Sequence, residues 1–201
     1  YNLDLGIDFR SLNNTNYISL RGFSTIISRH IGRDEFIVFS DITTPDLSTI
    51  IYNGEEVTTI SNKNLGNRFI HGFSIDGFSK IMNNLKVDYG LTYTKGDNND
   101  TYGPLPSISP LFGSIALSYS KRGLNIKAVY KFSEAKNPSE YSFGGEDGLD
   151  ETPFLVNSEG LLTYLGTPKW SDLSIFGSKN ISSNVTLRMG LTNVFDSHYR
   201  T

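Results

Sequence analysis

The stretch LKVDYGLTYT, residues 85–94, alternates without a break. Leu85, Val87, Tyr89, Leu91 and Tyr93 are apolar or aromatic, while Lys86, Asp88, Gly90, Thr92 and Thr94 between them are polar or small. A period of two over ten residues puts the two sets on opposite faces of a β-strand; a helix repeats its apolar stripe every three to four residues. NLDLGIDFR does the same, with Leu3, Leu5, Ile7 and Phe9 against Asn2, Asp4, Gly6, Asp8 and Arg10. LNIKAVYKF sets Leu124, Ile126, Ala128, Tyr130 and Phe132 against Asn125, Lys127 and Lys131, and VTLRMGL sets Val185, Leu187, Met189 and Leu191 against Thr186, Arg188 and Gly190. Weaker versions occupy 17–24, 69–81, 111–120 and 170–178. The spacing predicts eight strands and no amphipathic helix, an all-β chain.

Composition narrows what such strands can serve. Only 37% of the 201 residues are hydrophobic, and a net charge of −3 supplies no basic surface for nucleic acid. With no cysteine, disulfide frameworks and thiolate metal sites are excluded. No apolar run reaches the roughly 18 residues of a membrane helix, and no signal-peptide pattern opens the chain. Tyr1 already lies in a patterned segment, so the expectation is an internal piece of a longer protein.

The connections alternate in length. Residues 11–16, 82–84, 120–123 and 180–184 are short and rich in turn formers, whereas 25–66, 95–110 and 133–169 are long. Tight turns on one rim and long excursions on the other are the plan of an outer-membrane barrel, and strands of about ten residues suit a tilted membrane strand. In that reading the apolar set faces lipid, while Lys86, Asp88, Lys127, Lys131 and Arg188 face a wet interior. A water-soluble antiparallel sheet with one buried face would show the same alternation.

Several motifs fall in a fixed order. FIHGFSI carries Gly72 and is followed by LTYT (91–94), then by Pro104-Leu105 through Ile108-Ser109-Pro110 to Gly113. GTPKWSDLSIF (166–176) comes later, and TNVFDSHYR (192–200) stands just before the end of the chain. In this order, over about residues 65–201, the set resembles the C-terminal barrel of TonB-dependent outer-membrane receptors; residues 1–64 fit a preceding hairpin more loosely. Ser109 stands where the family commonly has Pro, Ile75–Asp76 depart from its usual acidic position after Gly72, and Thr192 stands where Glu is usual.

The resemblance implies an antiparallel, up-and-down transmembrane β-barrel wall. Its eight strands are part of a barrel of about 22 strands and form an open sheet by themselves. Residues 1–201 would then be a partial barrel domain, with plug domain, N-terminal strands and final strand elsewhere. The implied function is energised uptake of a scarce nutrient, such as a ferric siderophore, haem or cobalamin, across the outer membrane of a Gram-negative bacterium. The implied partners are outer-membrane lipid, the TonB protein acting through a plug and N-terminal box, and a small-molecule or metal-chelate ligand at the extracellular loops. A passive porin-like barrel and a soluble β-rich ligand-binding module are the competing readings.

No catalytic, cofactor or metal set emerges, and no ligand-binding residue is assigned. His30, Asp34 and Glu35 suit a solvated loop as well as a metal site. The acidic stretch 144–151 suits a flexible loop or a Ca²⁺ site, without EF-hand spacing. Asp97 and Asp100 read as solvated, His71 falls on the lipid-facing set, and His198 is isolated. Tyr102, Tyr141, Phe143 and Tyr164 are loop aromatics compatible with ligand capture. Past the last strand, Asn193 and Asp196 are expected to cap backbone groups, Phe195 and Tyr199 to pack on the rim, and Arg200 to pair with an acid.

Overall fold

A computed structural model describes residues 1–36, 49–96, 103–143 and 147–198. In chain order its strands are β1 (Asn2–Arg10), β2 (Asn16–Ile27), β3 (Ile31–Glu35), β4 (Thr49–Tyr52), β5 (Glu55–Thr58), β6 (Ile60–Asn64) and β7 (Arg68–Met82). They continue with β8 (Leu85–Gly96), β9 (Phe112–Lys121), β10 (Leu124–Ser133), β11 (Phe154–Val156), β12 (Leu162–Tyr164), β13 (Trp170–Asn180) and β14 (Thr186–Leu191). Eight of them form one antiparallel sheet in the order β1-β2-β7-β8-β9-β10-β13-β14, an up-and-down meander. The short connections (11–15, 83–84, 122–123, 181–185) therefore share one rim and the long ones (28–67, 97–111, 134–169) the other, as the connection lengths predict. Arg122 and Gly123 both take positive φ, the two-residue hairpin turn whose twist matches that of the strands.

Register aligns the alternation of every strand. One cross-strand row reads Phe9, Ile18, Gly77, Tyr89, Ile115, Tyr130, Leu173. The adjacent row, on the opposite face, reads Asp8, Ser19, Asp76, Gly90, Ser114, Lys131, Asp172. The same registers put Lys86, Asp88, Lys127 and Arg188 on the polar face and His71 on the apolar one, as expected. Glycines beside aromatics fit the sheet together: Phe23, Tyr89, Phe132 and Phe176 lie across from Gly72, Gly77, Gly113 and Gly190. A Cβ at Gly113 would stand 2.8 Å from the Phe132 ring, so the glycine makes room for the aromatic.

Burial is inverted relative to a water-soluble sheet. The apolar face is open, with Ile7 66% and Met189 73% exposed, while the buried sheet residues Ser19, Arg68, Ala116 and Asp172 lie on the polar face. Buried apolar side chains belong largely to the loop rim: Leu65, Leu105 and Tyr141. There the long connections fold over the polar face, and Arg68 of β7 donates through Nη2 to the Gly103 carbonyl.

The long connections contain more structure than the sequence predicts. β2 runs on to Ile27 and β8 to Gly96, and the first connection holds two ladders, β3 with β6 and β4 with β5. The third holds the 3₁₀ turns Pro138–Glu140 and Leu149–Glu151 and the β11–β12 hairpin. IGRDE, EEVT and ISNKN carry too few apolar residues for alternation to mark them as strands.

Candidate ligand site at the loop rim

Where β9, β10 and β13 reach the loop rim, their polar faces form a small grid. Ser133 sits between Phe112 and Trp170, and one row nearer the middle of the sheet Lys131 sits between Ser114 and Asp172. Strands are spaced about 4.8 Å apart, so Phe112 and Trp170 stand roughly 10 Å from each other across the small Ser133. Residues 107–110 and parts of the third long connection close over this grid and leave a cavity of about 790 Å³.

Asp147 ties the roof together. Its carboxylate accepts from the Ser107 N–H at 2.6 Å and the Ser142 N–H at 3.2 Å, and it pairs with Lys136 Nζ at 3.1 Å. One carboxylate thus joins the second connection to the third. Burial pushes its pKa upward, but the Ser107 and Ser142 amides and the Lys136 ammonium outweigh that and hold the carboxyl below its ordinary value. Lys136 also lies 4.7 Å from the centroid of the Tyr141 ring. The Tyr141 hydroxyl is 2.5 Å from Thr167 Oγ1 and accepts the Thr167 N–H at 3.0 Å. Lys136 and Thr167 exchange backbone hydrogen bonds in both directions, at 2.9 and 3.0 Å. Gly166 has φ +76°, and a Cβ there would run into the Lys136 carbonyl, so the glycine of GTPKW is required by this junction.

The charges beside the floor differ in kind. Asp172, next to Lys131 in register, is only 6% exposed; its Oδ2 accepts from the Ser174 hydroxyl at 3.1 Å, and its Oδ1 has no hydrogen-bond partner among the described residues. Lys131, beside it, is exposed and makes no ion pair among the described residues. The cavity can therefore bind a solute through two aromatic side chains, several hydroxyls and one uncommitted ammonium.

The residues singled out from sequence have mostly structural roles. His30 pairs through its backbone with Gly66 and Leu65, and Asp34 pairs with Lys63 at 2.9 Å. No group of three or more potential metal ligands occurs among the described residues. In the acidic stretch, read from sequence as a flexible loop or a Ca²⁺ site, the Asp147 side chain is buried and paired with Lys136; residues 144–146 lie outside the described residues. Asp97, Asp100 and Tyr102 lie outside them too, as do Tyr199 and Arg200. Tyr141 is a buried strut, Tyr164 packs edge-on against Phe154 at 6.1 Å, and Phe143 is 39% exposed.

After β14, the Asn193 side chain accepts the Ser197 N–H at 2.9 Å and donates to the Ser197 carbonyl at 3.2 Å, a local cap as expected. Asp196 contributes its backbone N–H to Asn193 instead of a side-chain cap, and Phe195 packs edge-on to Tyr130 at 6.5 Å. Sequence reasoning passed over Phe112 and Trp170. Their signal was available: each opens a strand in phase with the polar set, where an aromatic breaks the pattern.

One apolar face, one polar face, short turns on one rim and loops folded over the polar face on the other together define the wall of an up-and-down transmembrane β-barrel. Solved structures bear this out. The chain is similar to the copper transporter OprC, at 18% identity and a TM-score of 0.69 over 99% of this chain and 26% of that one. It is similar to the ferric-catecholate import receptor Fiu from E. coli, at 15% identity and a TM-score of 0.63 over 98% of this chain and 23% of that one. The siderophore receptor PirA from Acinetobacter baumannii aligns at 19% identity and a TM-score of 0.64, over 97% of this chain and 27% of that one. The chain thus spans about a quarter of these β-barrel proteins and shares their wall fold. No protein-family model matches it, and no curated protein does.

Proposed function

We propose that this chain is part of the barrel of an outer-membrane receptor for TonB-energised uptake of a scarce nutrient. The observation that carries the reading is the inverted sheet. Eight strands keep one apolar face outward while long connections fold over the polar face around a cavity, in the wall fold shared with a copper transporter and siderophore receptors. The barrel sits in outer-membrane lipid, and its solute is a small molecule or metal chelate reaching the loop rim. The TonB protein supplies the energy through a plug. The residues support binding and passage rather than catalysis.

Uptake of radiolabelled ferric and copper chelates into cells carrying the full-length protein, before and after a protonophore, tests this. The expected result is uptake that needs the protein and stops with the protonophore. Uptake that persists without the proton gradient would instead make the protein a passive porin. Absence of uptake for both metals would remove the metal-chelate class.

A further inference from the structure

We propose that the slot between Phe112 and Trp170 binds a ring-bearing anion, with the ring lodged between the two aromatics and the acidic oxygen on the Lys131 ammonium. That the slot is reached by solute from outside the cell rests on the receptor reading; the binding chemistry does not.

Three observations carry it. The first is division of labour between the two cavity lysines. Lys136 is only 11% exposed and committed to Asp147 and the Tyr141 ring, so it holds the roof, whereas Lys131 is exposed and uncommitted. The second is the asymmetry of the adjacent charges. Asp172 stands beside Lys131 in register and is buried, whereas Lys131 is exposed, so a solute at this row meets the ammonium and not the carboxylate. The third is shape. Ser133 is the only residue between Phe112 and Trp170 in their row, so a ring can sit over it, and Phe112 is 43% exposed. A cavity of about 790 Å³ lies within the usual range for small-molecule sites, which join apolar walls to a few placed polar groups.

A matched pair of probes isolates the charge. 1-Naphthoate and 1-naphthamide share a ring system and differ in that one carries a carboxylate; binding of each to the purified full-length protein in detergent is measured by equilibrium dialysis. A charge-assisted hydrogen bond should make naphthoate bind about tenfold tighter than naphthamide. Lys131→Gln should bring naphthoate down to the level of the amide and leave naphthamide unchanged, and Lys131→Arg should restore the preference. Trp170→Ala and Phe112→Ala should weaken both probes together. Equal binding of the two probes by the unaltered protein, or a preference that survives Lys131→Gln, overturns the assignment. So does failure of either probe to bind. If uptake proves independent of the proton gradient while naphthoate still binds through Lys131, the energised-receptor reading fails and the slot stands.

Discussion

At the scale of single residues, Asp147 fixes the roof of the cavity through two amides and one ammonium. The carboxylate is almost fully buried, and Lys136 beside it nearly so. Removing one partner of such a pair leaves an uncompensated buried charge, a loss of about 3–5 kcal/mol. Asp147→Asn in the full-length protein should therefore speed hydrogen exchange at the Ser107 and Ser142 amides at neutral pH; exchange rates equal to those of the unaltered protein would show that the carboxylate is not the clamp. The pH dependence has a definite sign. The folded pKa lies below the ordinary 3.8, so the ionised form is favoured by folding. The stabilisation is fully present above about pH 4, the unfolded value, and is lost as pH falls through the lower folded value. The same two amides should lose protection in that acidic window and not between pH 5 and 8.

At the scale of the strand, the two faces should answer differently to charge. Leu91 on β8 and Ile126 on β10 belong to the apolar set, whereas Thr92 and Lys127 beside them belong to the polar one. Leu91→Arg or Ile126→Arg should destabilise the full-length barrel by about 2–4 kcal/mol, the cost of an arginine at the bilayer midplane. Thr92→Arg and Lys127→Glu should change stability little. Denaturant unfolding in lipid vesicles reads the difference, and equal losses on both faces would contradict the lipid-facing assignment. The alternation that supports this experiment is also what made the wall legible: LKVDYGLTYT places ten of the twelve residues of β8 on their faces, and the patterned stretches of β1, β10 and β14 do the same. The loop strands were not legible because their pairing is set by position above β2 and β7, not by a buried apolar stripe in IGRDE or ISNKN. The site was half legible. Lys131 was assigned to the interior, but that Phe112 and Trp170 flank Ser133 is a matter of register across three strands, which depends on turn and loop lengths together. Tyr141 and Tyr164 were compatible with ligand capture from sequence; in the fold they serve the loop's own packing, because a long connection must bury something to hold its shape.

At the scale of the whole molecule, the sheet of residues 1–201 has no closed core of its own. Its apolar face is open from Leu3 on β1 to Leu191 on β14, both more than half exposed. Among the described residues β1 and β14 each have a strand partner on one side only, so each leaves a row of backbone N–H and C=O groups available for pairing. In a complete barrel, lipid would cover the first surface and neighbouring strands would satisfy the second. Expressed alone in water, residues 1–201 have neither. Contiguous apolar surface and open strand edges both favour association with further copies over a monomer. The polar face adds little to oppose this, because its buried members Ser19, Arg68, Asp172 and Ala116 are small or charged and contribute almost no apolar core. Residues 1–201 expressed alone should therefore be recovered as aggregate without detergent and, if brought into detergent, should elute as mixed oligomers in size-exclusion chromatography. A soluble monomer that melts in a single cooperative transition would mean that the apolar face finds cover within the chain, and the transmembrane assignment of that face would have to be abandoned.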